Sequence, residues 1–224
     1  MKHHSSIFIV LLALMLLVVL PFVACAEDVD MTAEDMVLRG LQYTNGDGVE
    51  QNDKLAVQWY QKAADLGNAE GMYHLGLIYM EGRGVPQDDE LAVQWNQKAA
   101  DLGNAGAMCN LGLLYMDGRG VPQDDELAVQ WYQKAADLGN VGGMCNLGSM
   151  YYYGRGVSQD YELAAQWFQQ AAELDNMIAM ANLGIMYYIG RGVQQNEQLG
   201  IQWLQKAADL GDTVAQDVLK QIFQ

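Results

Sequence analysis

The sequence predicts an all-α fold, a solenoid of antiparallel helix pairs with a repeat of 36 residues. Two residue types recur at that interval, and helical periodicity recurs between them. The loop glycines are Gly46, Gly82, Gly118, Gly154 and Gly190. The five tryptophans are Trp59, Trp95, Trp131, Trp167 and Trp203. A fixed interval of this length indicates units that cannot bury their apolar faces alone and therefore stack on one another.

The first 26 residues are typical of a secretory signal peptide. Lys2 precedes an uncharged run from residue 7 to 23, and the small residues of Ala24-Cys25-Ala26 follow. We expect cleavage after Ala26, since this run is shorter than the ~20 residues that span a bilayer. An uncleaved anchor and a lipid-modified Cys25 remain alternatives. The expected location of the protein is therefore the periplasm or the outside of the cell, with a short segment at residues 27–32 before the first repeat.

Each unit contains two predicted helices. Residues 69–80, AEGMYHLGLIYM, carry apolar side chains at the three- and four-residue spacings of an amphipathic helix, which we name helix A. Residues 89–102, DELAVQWNQKAADL, form a second such pattern, helix B, whose apolar stripe runs through Trp95 to Leu102. Gly76 allows close approach of the two helices, and we expect Trp95 to fill the space beside it.

The residues at the helix ends agree with this assignment. Before helix B the five copies have Asn52, Asp88, Asp124, Asp160 and Asn196, which are favourable N-caps. After it they have Gly67, Gly103, Gly139, Asp175 and Gly211, at a position suited to the left-handed conformation. The loop GRGVPQDDE at residues 82–90, repeated at 118–126, is therefore predicted to be a connector. Because its acids begin helix B and no Lys-Ser or Lys-Thr pair follows its glycines, we expect neither calcium nor phosphate there.

These patterns divide the chain after the signal peptide into five repeats and a terminal helix. The repeats are residues 33–68, 69–104, 105–140, 141–176 and 177–212. The terminal helix, within residues 213–224, is more polar than the A helices before it, as the last element of a stack must be. The first copy departs from the others at Arg39 and at Asp47, which replaces the loop arginine.

The repeated unit resembles the Sel1-like repeat, a relative of the tetratricopeptide repeat. The resemblance is carried by the pattern A-x-x-M-x-x-L-G-x-x-Y-x-x-G-R-G-V-x-x-D-x-x-x-A-x-x-W-x-x-x-A-A-x-x-G of residues 69–103. It implies a right-handed superhelix that serves as an adaptor or ligand-binding scaffold, often in bacterial envelopes or secreted proteins. It also implies that the A helices line a concave groove.

Few residues suit catalysis. After the signal peptide there is one histidine, His74, and neither Ser149 nor Ser158 begins an S-x-x-K motif. We therefore predict no catalytic residues, no cofactor and no enzymatic activity. The alternative is β-lactam binding or hydrolysis, which is associated with some cysteine-rich Sel1-like proteins. The cysteine pairs of those proteins are missing here.

Cys109 and Cys145 occupy the same helix A position in consecutive repeats, whereas His74 is one residue out of register. Neighbouring packed helices lie ~8–10 Å apart, which is awkward for a shared zinc ion and beyond the usual reach of an unstrained disulfide. We expect buried free thiols and no metal site. A disulfide remains the alternative, because an exported protein meets oxidising conditions.

A second face of helix A varies between copies and is the predicted partner-binding site. We name it the candidate face. It consists of Tyr73, Leu77, Met80, Leu113, Met116, Tyr152, Tyr153, Ile185, Tyr188 and Ile189. Aromatic residues and methionine are favoured in contact surfaces, and an extended peptide or amphipathic segment would suit such a groove. The alternative is that these side chains only pack between neighbouring A helices.

The loop arginines Arg83, Arg119, Arg155 and Arg191 form a second ladder. They could bind carboxylates of a partner or an anionic glycan. We favour pairing with acids of the chain itself, such as Glu81, Asp117 or the first turns of the B helices.

The charge of the chain limits its partners. With 28 acidic and 12 basic residues the formal net charge is −16, which disfavours nucleic acid and anionic membrane surfaces. We expect no nucleic acid partner and no stable membrane insertion after signal cleavage. The expected ligand is a protein or peptide, in envelope signalling or host interaction. A purely structural envelope component is the alternative.

Overall fold

The computed structural model describes residues 31–224, so the predicted signal peptide lies outside the described residues. The described part folds into eleven α-helices without a strand. They are α1 (Ala33–Asn45), α2 (Asp53–Asp65), α3 (Ala69–Glu81), α4 (Asp89–Asp101), α5 (Ala105–Asp117), α6 (Asp125–Asp137), α7 (Val141–Tyr153), α8 (Tyr161–Glu173), α9 (Met177–Ile189), α10 (Glu197–Asp209) and α11 (Thr213–Ile222). The odd-numbered helices up to α9 are the A helices, and the even-numbered ones are the B helices.

The predicted caps of the B helices are confirmed. In each of the five, the side-chain oxygen of the Asn or Asp at the N-cap accepts a hydrogen bond from the backbone N–H three residues later. The residue at the predicted left-handed position has a positive φ in every copy, including Asp175 at +62°. The A helices from α3 to α9 are framed in the same way, by an Asn N-cap and a left-handed glycine. Helices of uniform length follow from these repeated ends.

The helices stack in chain order, which confirms the all-α superhelix. Each helix packs against the helix before it and the helix after it, and the A helices α1, α3 and α5 also contact the next A helix. Each repeat is therefore held by its neighbours along the chain, as in other solenoids.

Close approach within a repeat depends on a glycine of helix A that faces a large side chain of helix B. Tyr132 is fully buried, and a Cβ on Gly112 would lie 2.5 Å from its Cε1 atom. The facing pairs are Gly40 with Tyr60, Gly76 with Asn96, Gly112 with Tyr132, Gly148 with Phe168, and Gly184 with Leu204. The residue after each tryptophan therefore fills the space beside the glycine.

The prediction that Trp95 fills the space beside Gly76 was wrong, because Asn96 lies there. The tryptophans are half-buried on the B helices. In four repeats a lysine three residues later lies over the indole, with Nζ 3.9–4.3 Å from the ring centroid. Leu102 also differs from expectation: it follows the end of α4 and is 56% exposed. The buried stripe of helix B therefore ends before Leu102.

The terminal helix α11 packs against α10 through Ala215 and Leu219, which are buried, while most of its other side chains are exposed. Among residues 31–224, no helix is long and apolar enough to cross a bilayer.

Candidate functional site

The ten residues of the candidate face lie on α3, α5, α7 and α9, and each keeps part of its side chain accessible to solvent. Tyr153 and Ile189, at the ends of α7 and α9, are exposed by 67% and 45%. The helical spacing also places Cys145 and Ala181 on this face, but both are buried, at 5% and 4%. The face is thus formed mainly by the middle and C-terminal turns of the A helices.

Tyr73 also packs between two A helices. A Cβ on Gly106 of α5 would lie 2.9 Å from its Cε2 atom, so the ring of Tyr73 covers the backbone of the next A helix. Its ring centroid lies 5.1 Å from that of His74. Burial raises the pKa of the Tyr73 hydroxyl above its ordinary value, with smaller contributions from nearby acids. Tyr73 therefore joins neighbouring repeats while part of its ring stays accessible.

The two methionines of the face extend toward the interior of their own repeats. The Met80 sulfur lies 3.9 Å from Asn96 Nδ2, and the Met116 sulfur lies 3.8 Å from the Tyr132 hydroxyl. Flexible thioethers fill such irregular spaces well. The methionines therefore line the boundary between the repeat core and the surface.

An aromatic cluster lies at the C-terminal end of α7. The ring of Tyr152 contacts Tyr153 edge to face, with centroids 4.9 Å apart, and contacts Tyr161 at the start of α8 at 5.2 Å. Edge-to-face contacts of this kind orient both rings. Tyr161 is half-buried and was not among the residues predicted for the face.

Three of the four loop arginines pair with acids of the chain, as favoured from the sequence. Each bonds the first residue of the B helix in the preceding repeat. The closest N–O distances are 3.0 Å for Arg83 with Asp53, 2.6 Å for Arg119 with Asp89, and 2.7 Å for Arg155 with Asp125. These ion pairs therefore link the loop of one repeat to helix B of the repeat before it. Arg191 has no carboxylate partner among residues 31–224 and instead donates from Nη1 to the Tyr152 hydroxyl at 2.7 Å.

The hydrogen bonds of two of these pairs favour the charged forms of Asp89, Arg119 and Arg155. The hydrogen bond from Arg119 is the largest cause that lowers the pKa of Asp89, and the same bond raises the pKa of Arg119. The hydrogen bond to Asp125 raises the pKa of Arg155 in the same way. Asp89 and both arginines therefore stay ionised at neutral pH.

The two cysteines among the described residues are not activated as nucleophiles. Both thiols are free, with Cys145 buried and Cys109 partly buried, and burial raises the pKa of each to about 11. At neutral pH they are protonated and poor nucleophiles. The Ser149 hydroxyl donates to the Cys145 carbonyl in its own helix. No group of three His, Cys, Asp or Glu residues within the described range could hold a metal ion.

His74 lies in the packing between α3 and α2. Its ring stacks on Tyr60, with centroids 4.6 Å apart, and Nε2 lies 3.4 Å from the Glu70 carboxylate. Burial lowers the pKa of His74 below its ordinary value, although Glu70 acts in the opposite direction. Its contacts are those of a residue that packs two repeats together.

The sequence prediction included pairing of the loop arginines with acids of the chain, but it did not include that each partner lies in the preceding repeat or that Tyr161 contacts Arg191. Asp53, Asp89 and Asp125 each stand 30 residues before a loop arginine, and Tyr161 takes that position before Arg191. This spacing was available in the sequence and would have indicated both the three pairs and the exception.

Comparison with known proteins places these features in a family. The Sel1 repeat model matches residues 35–68, 69–104, 105–140, 141–176 and 178–212. No curated protein sequence gives a significant match to the chain.

Three solved structures illustrate the similarity. A Sel1 repeat protein from Oxalobacter formigenes is 33% identical with a TM-score of 0.79, over 86% of this chain and 77% of that one. A protective antigen present in uropathogenic Escherichia coli strains, with an SLR fold, is 36% identical with a TM-score of 0.74, over 82% of this chain. The match spans only 39% of the antigen's length. An immunity protein from Pseudomonas aeruginosa, 22% identical with a TM-score of 0.58 over 85% of this chain and 71% of that one, shares the fold alone.

Proposed function

The chain belongs to the Sel1 repeat family, and we propose that it is an exported, non-enzymatic scaffold that binds a protein or peptide through the candidate face. A solenoid of this kind is consistent with protein–protein interaction, because stacked repeats create an extended surface that a long ligand can follow.

The proposal depends on one observation: ten apolar or aromatic side chains share one face of the A helices, and all ten keep accessible surface. If they served only to join the repeats, we would expect burial like that of Leu75, Leu111 and Leu147, which are fully enclosed. Contiguous exposed apolar surface is a feature of interaction sites.

The shape of the face favours an extended ligand. Contacts between successive A helices from α1 to α7 bring their faces side by side, so a ligand can pass from repeat to repeat. The side chains differ between repeats, from Leu113 and Met116 on α5 to Tyr152 on α7 and to Ile185 and Tyr188 on α9. A peptide that crosses several repeats would therefore meet different side chains at each one, and these differences would provide sequence specificity.

The proposed export depends on residues 1–26, which lie outside the described residues. Mass spectrometry of the protein recovered from periplasm and medium tests this part. Cleavage after Ala26 is expected, whereas recovery of an intact or lipid-modified N-terminus in the membrane fraction would contradict it.

Binding can be tested by selecting peptides from a random displayed library on the purified protein. Leu113→Ala removes a side chain of the face, and Leu138→Ala removes a leucine that is 56% exposed after the end of α6. The two variants have the same change in composition. We expect the first to weaken the selected peptides at least about fivefold, which corresponds to ~1 kcal/mol. The second should leave the affinity unchanged.

Two results would contradict the proposal. One is equal loss of affinity in both leucine variants, and the other is the absence of any selected peptide whose binding depends on Leu113, Ile185 or Tyr188. Hydrolysis of nitrocefin by the purified protein would contradict the non-enzymatic part.

A further inference from the structure

The ladder of loop arginines is broken at its last member. In the first three pairs an Asp at the start of a B helix neutralises the arginine 30 residues later. Tyr161 stands at that position in α8, and within residues 31–224 no acidic side chain lies within salt-bridge distance of Arg191. Arg191 is also exposed, whereas the other three are partly covered.

The main-chain partner of the arginine is changed as well. Arg119 and Arg155 each donate to the carbonyl near the end of the preceding A helix, at Met80 and Met116, over 2.9 and 3.4 Å. The corresponding carbonyl of Tyr152 accepts from the side-chain amide of Gln159 at 2.9 Å. Arg191 therefore forms neither the ion pair with an Asp nor the hydrogen bond to that carbonyl which the equivalent arginines form.

Two aromatic rings hold the Arg191 guanidinium in place. Its central carbon lies 5.2 Å from the centroid of the Tyr161 ring and 5.8 Å from that of Tyr152, and one N–H donates to the Tyr152 hydroxyl. Such cation–π contacts restrain the side chain without neutralising its charge. Of the five N–H donors of a guanidinium, one is used here, so the remaining donors are available to a ligand.

We propose that Arg191, held by Tyr152 and Tyr161, binds a carboxylate of an otherwise apolar peptide ligand. This inference rests on the proposed function, because Tyr152 and Tyr153 join the Arg191 site to the candidate face. A planar guanidinium matches a carboxylate in the two-bond arrangement that Asp89 and Asp125 adopt with Arg119 and Arg155. The net charge of −16 opposes ligands with many negative charges. The fitting ligand therefore has a single carboxylate beside apolar side chains.

Small carboxylates test the site apart from the rest of the face. The probes are N-acetylglycine and N-acetylglycinamide, titrated at constant ionic strength while the side-chain Nε–H signals of the arginines are followed by NMR. We expect a saturable shift of the Arg191 signal with the acid and none with the amide. The signals of Arg119 and Arg155 should not move, because their Nε–H groups already donate to Asp89 and Asp125.

Two matched variants change this site: one gives Arg191 an acidic partner, and the other removes its guanidinium. Tyr161→Asp recreates the pairing of the first three repeats and should abolish the shift by occupying Arg191. Arg191→Gln should abolish binding of N-acetylglycine, measured through the backbone amide signals around residue 191, and Arg119→Gln should leave binding at Arg191 intact. The proposal is overturned if acid and amide shift the Arg191 signal equally, or if Tyr161→Asp still responds.

Three peptides with one apolar core connect the site to the candidate face and distinguish two sources of the carboxylate. They are acetyl-Leu-Leu-Glu-Leu-amide, acetyl-Leu-Leu-Gln-Leu-amide and acetyl-Leu-Leu-Gln-Leu with a free C-terminus. We expect at least one of the two acidic peptides to bind about fivefold or more tightly than the neutral one, and the advantage to vanish in Tyr161→Asp. The acidic peptide that binds better identifies a side-chain or C-terminal carboxylate.

The outcomes separate the two proposals. If all three peptides bind equally and Leu113→Ala weakens them, the face is retained and the carboxylate site is refuted. If N-acetylglycine binds at Arg191 but no peptide gains affinity from Leu113, the carboxylate site stands and the wider face is refuted.

Discussion

Replacing Gly112 by alanine tests whether the close approach of helices A and B fixes the stability of a repeat. The added Cβ would lie 2.5 Å from Cε1 and 2.6 Å from Cδ1 of Tyr132, where ordinary contacts begin at 3.4 Å. The ring must therefore move by about 1 Å for contact to become tolerable. Tyr132 is fully buried between α5 and its own helix α6, so the atoms behind the ring must move with it.

Two opposing free energies determine the size of the effect. Alanine is favoured over glycine inside a helix by ~1 kcal/mol. Overpacking of a well-filled interior costs ~1–3 kcal/mol, and the enclosed ring places this site at the upper end. We therefore expect Gly112→Ala to lower the free energy of unfolding by about 2 kcal/mol.

The same substitution at Gly142 in α7 provides the control. Its nearest neighbours would be Asn140 Oδ1 at 3.3 Å and Cys109 Sγ at 3.4 Å, and the position is partly exposed. Glu70 and Ile178 occupy the equivalent position in other repeats. Gly142→Ala should thus be stabilising, by about 0.5–1 kcal/mol, because only the helix propensity changes appreciably.

Urea denaturation followed by circular dichroism measures both variants. A third variant, Tyr132→Leu, introduces leucine, the residue type that the last repeat has at the equivalent position, Leu204. If the contact causes the loss, Tyr132→Leu should cost less in the Gly112→Ala background than in the wild type, with a coupling energy of about 1 kcal/mol or more. Equal stability of Gly112→Ala and wild type, or additive behaviour in the double variant, would refute the reasoning.

Two further predictions concern single residues. Burial lowers the pKa of His74 below 6.5 in the folded state, so its stabilising effect is present above pH 6.5 and is lost as the pH falls below that value toward the folded pKa. His74→Asn, which introduces the residue of the next three repeats, should therefore lose less Tm than the wild type between pH 7.5 and 5.5; identical losses would contradict this. Asp175 has φ +62° where the other four copies have glycine. Asp175→Gly should raise the free energy of unfolding by about 0.5–1 kcal/mol in urea denaturation, since release from the left-handed conformation outweighs the added entropy of the unfolded chain; a less stable variant would contradict that balance.

The parts of the fold that depend on neighbouring residues could be predicted from the sequence. The N-cap at Asp88 and the left-handed residue at Gly103 act within one turn of the chain, so their residue types indicate their positions. The rotation of helix B was harder to predict. Trp95 and Asn96 are adjacent on the helix, and residue type favours the tryptophan as the buried one. The contact with Gly76 selects Asn96, and that contact depends on the distance between two helices.

For the candidate face too, local helical spacing could be predicted from the sequence, whereas contacts between helices could not. Helical spacing placed Leu77, Leu113 and Ile185 on one accessible side of the A helices. It could not show that Cys145 is buried or that Tyr73 covers Gly106, because these contacts depend on how far one repeat is rotated against the next. The exception at Tyr161 was visible as a departure from the repeat. Its consequence for Arg191 required the distance between two residues that are 30 positions apart.

Departures from the repeat fall into two physical kinds. Asn96 replaces a large apolar residue at a fully buried position, where an unpaired amide would cost ~1–3 kcal/mol. Its groups are satisfied inside the protein, by the Ala92 carbonyl and the Asn110 amide. At the surface, Tyr161 removes a partly exposed ion pair, which costs at most about 1 kcal/mol, and no acidic side chain of the described chain compensates Arg191. In a solenoid each repeat contacts only its neighbours, so such a loss stays local. A buried departure must be compensated for the fold to persist, and an exposed one need not be; the uncompensated charge of Arg191 is therefore where a ligand can supply the missing partner.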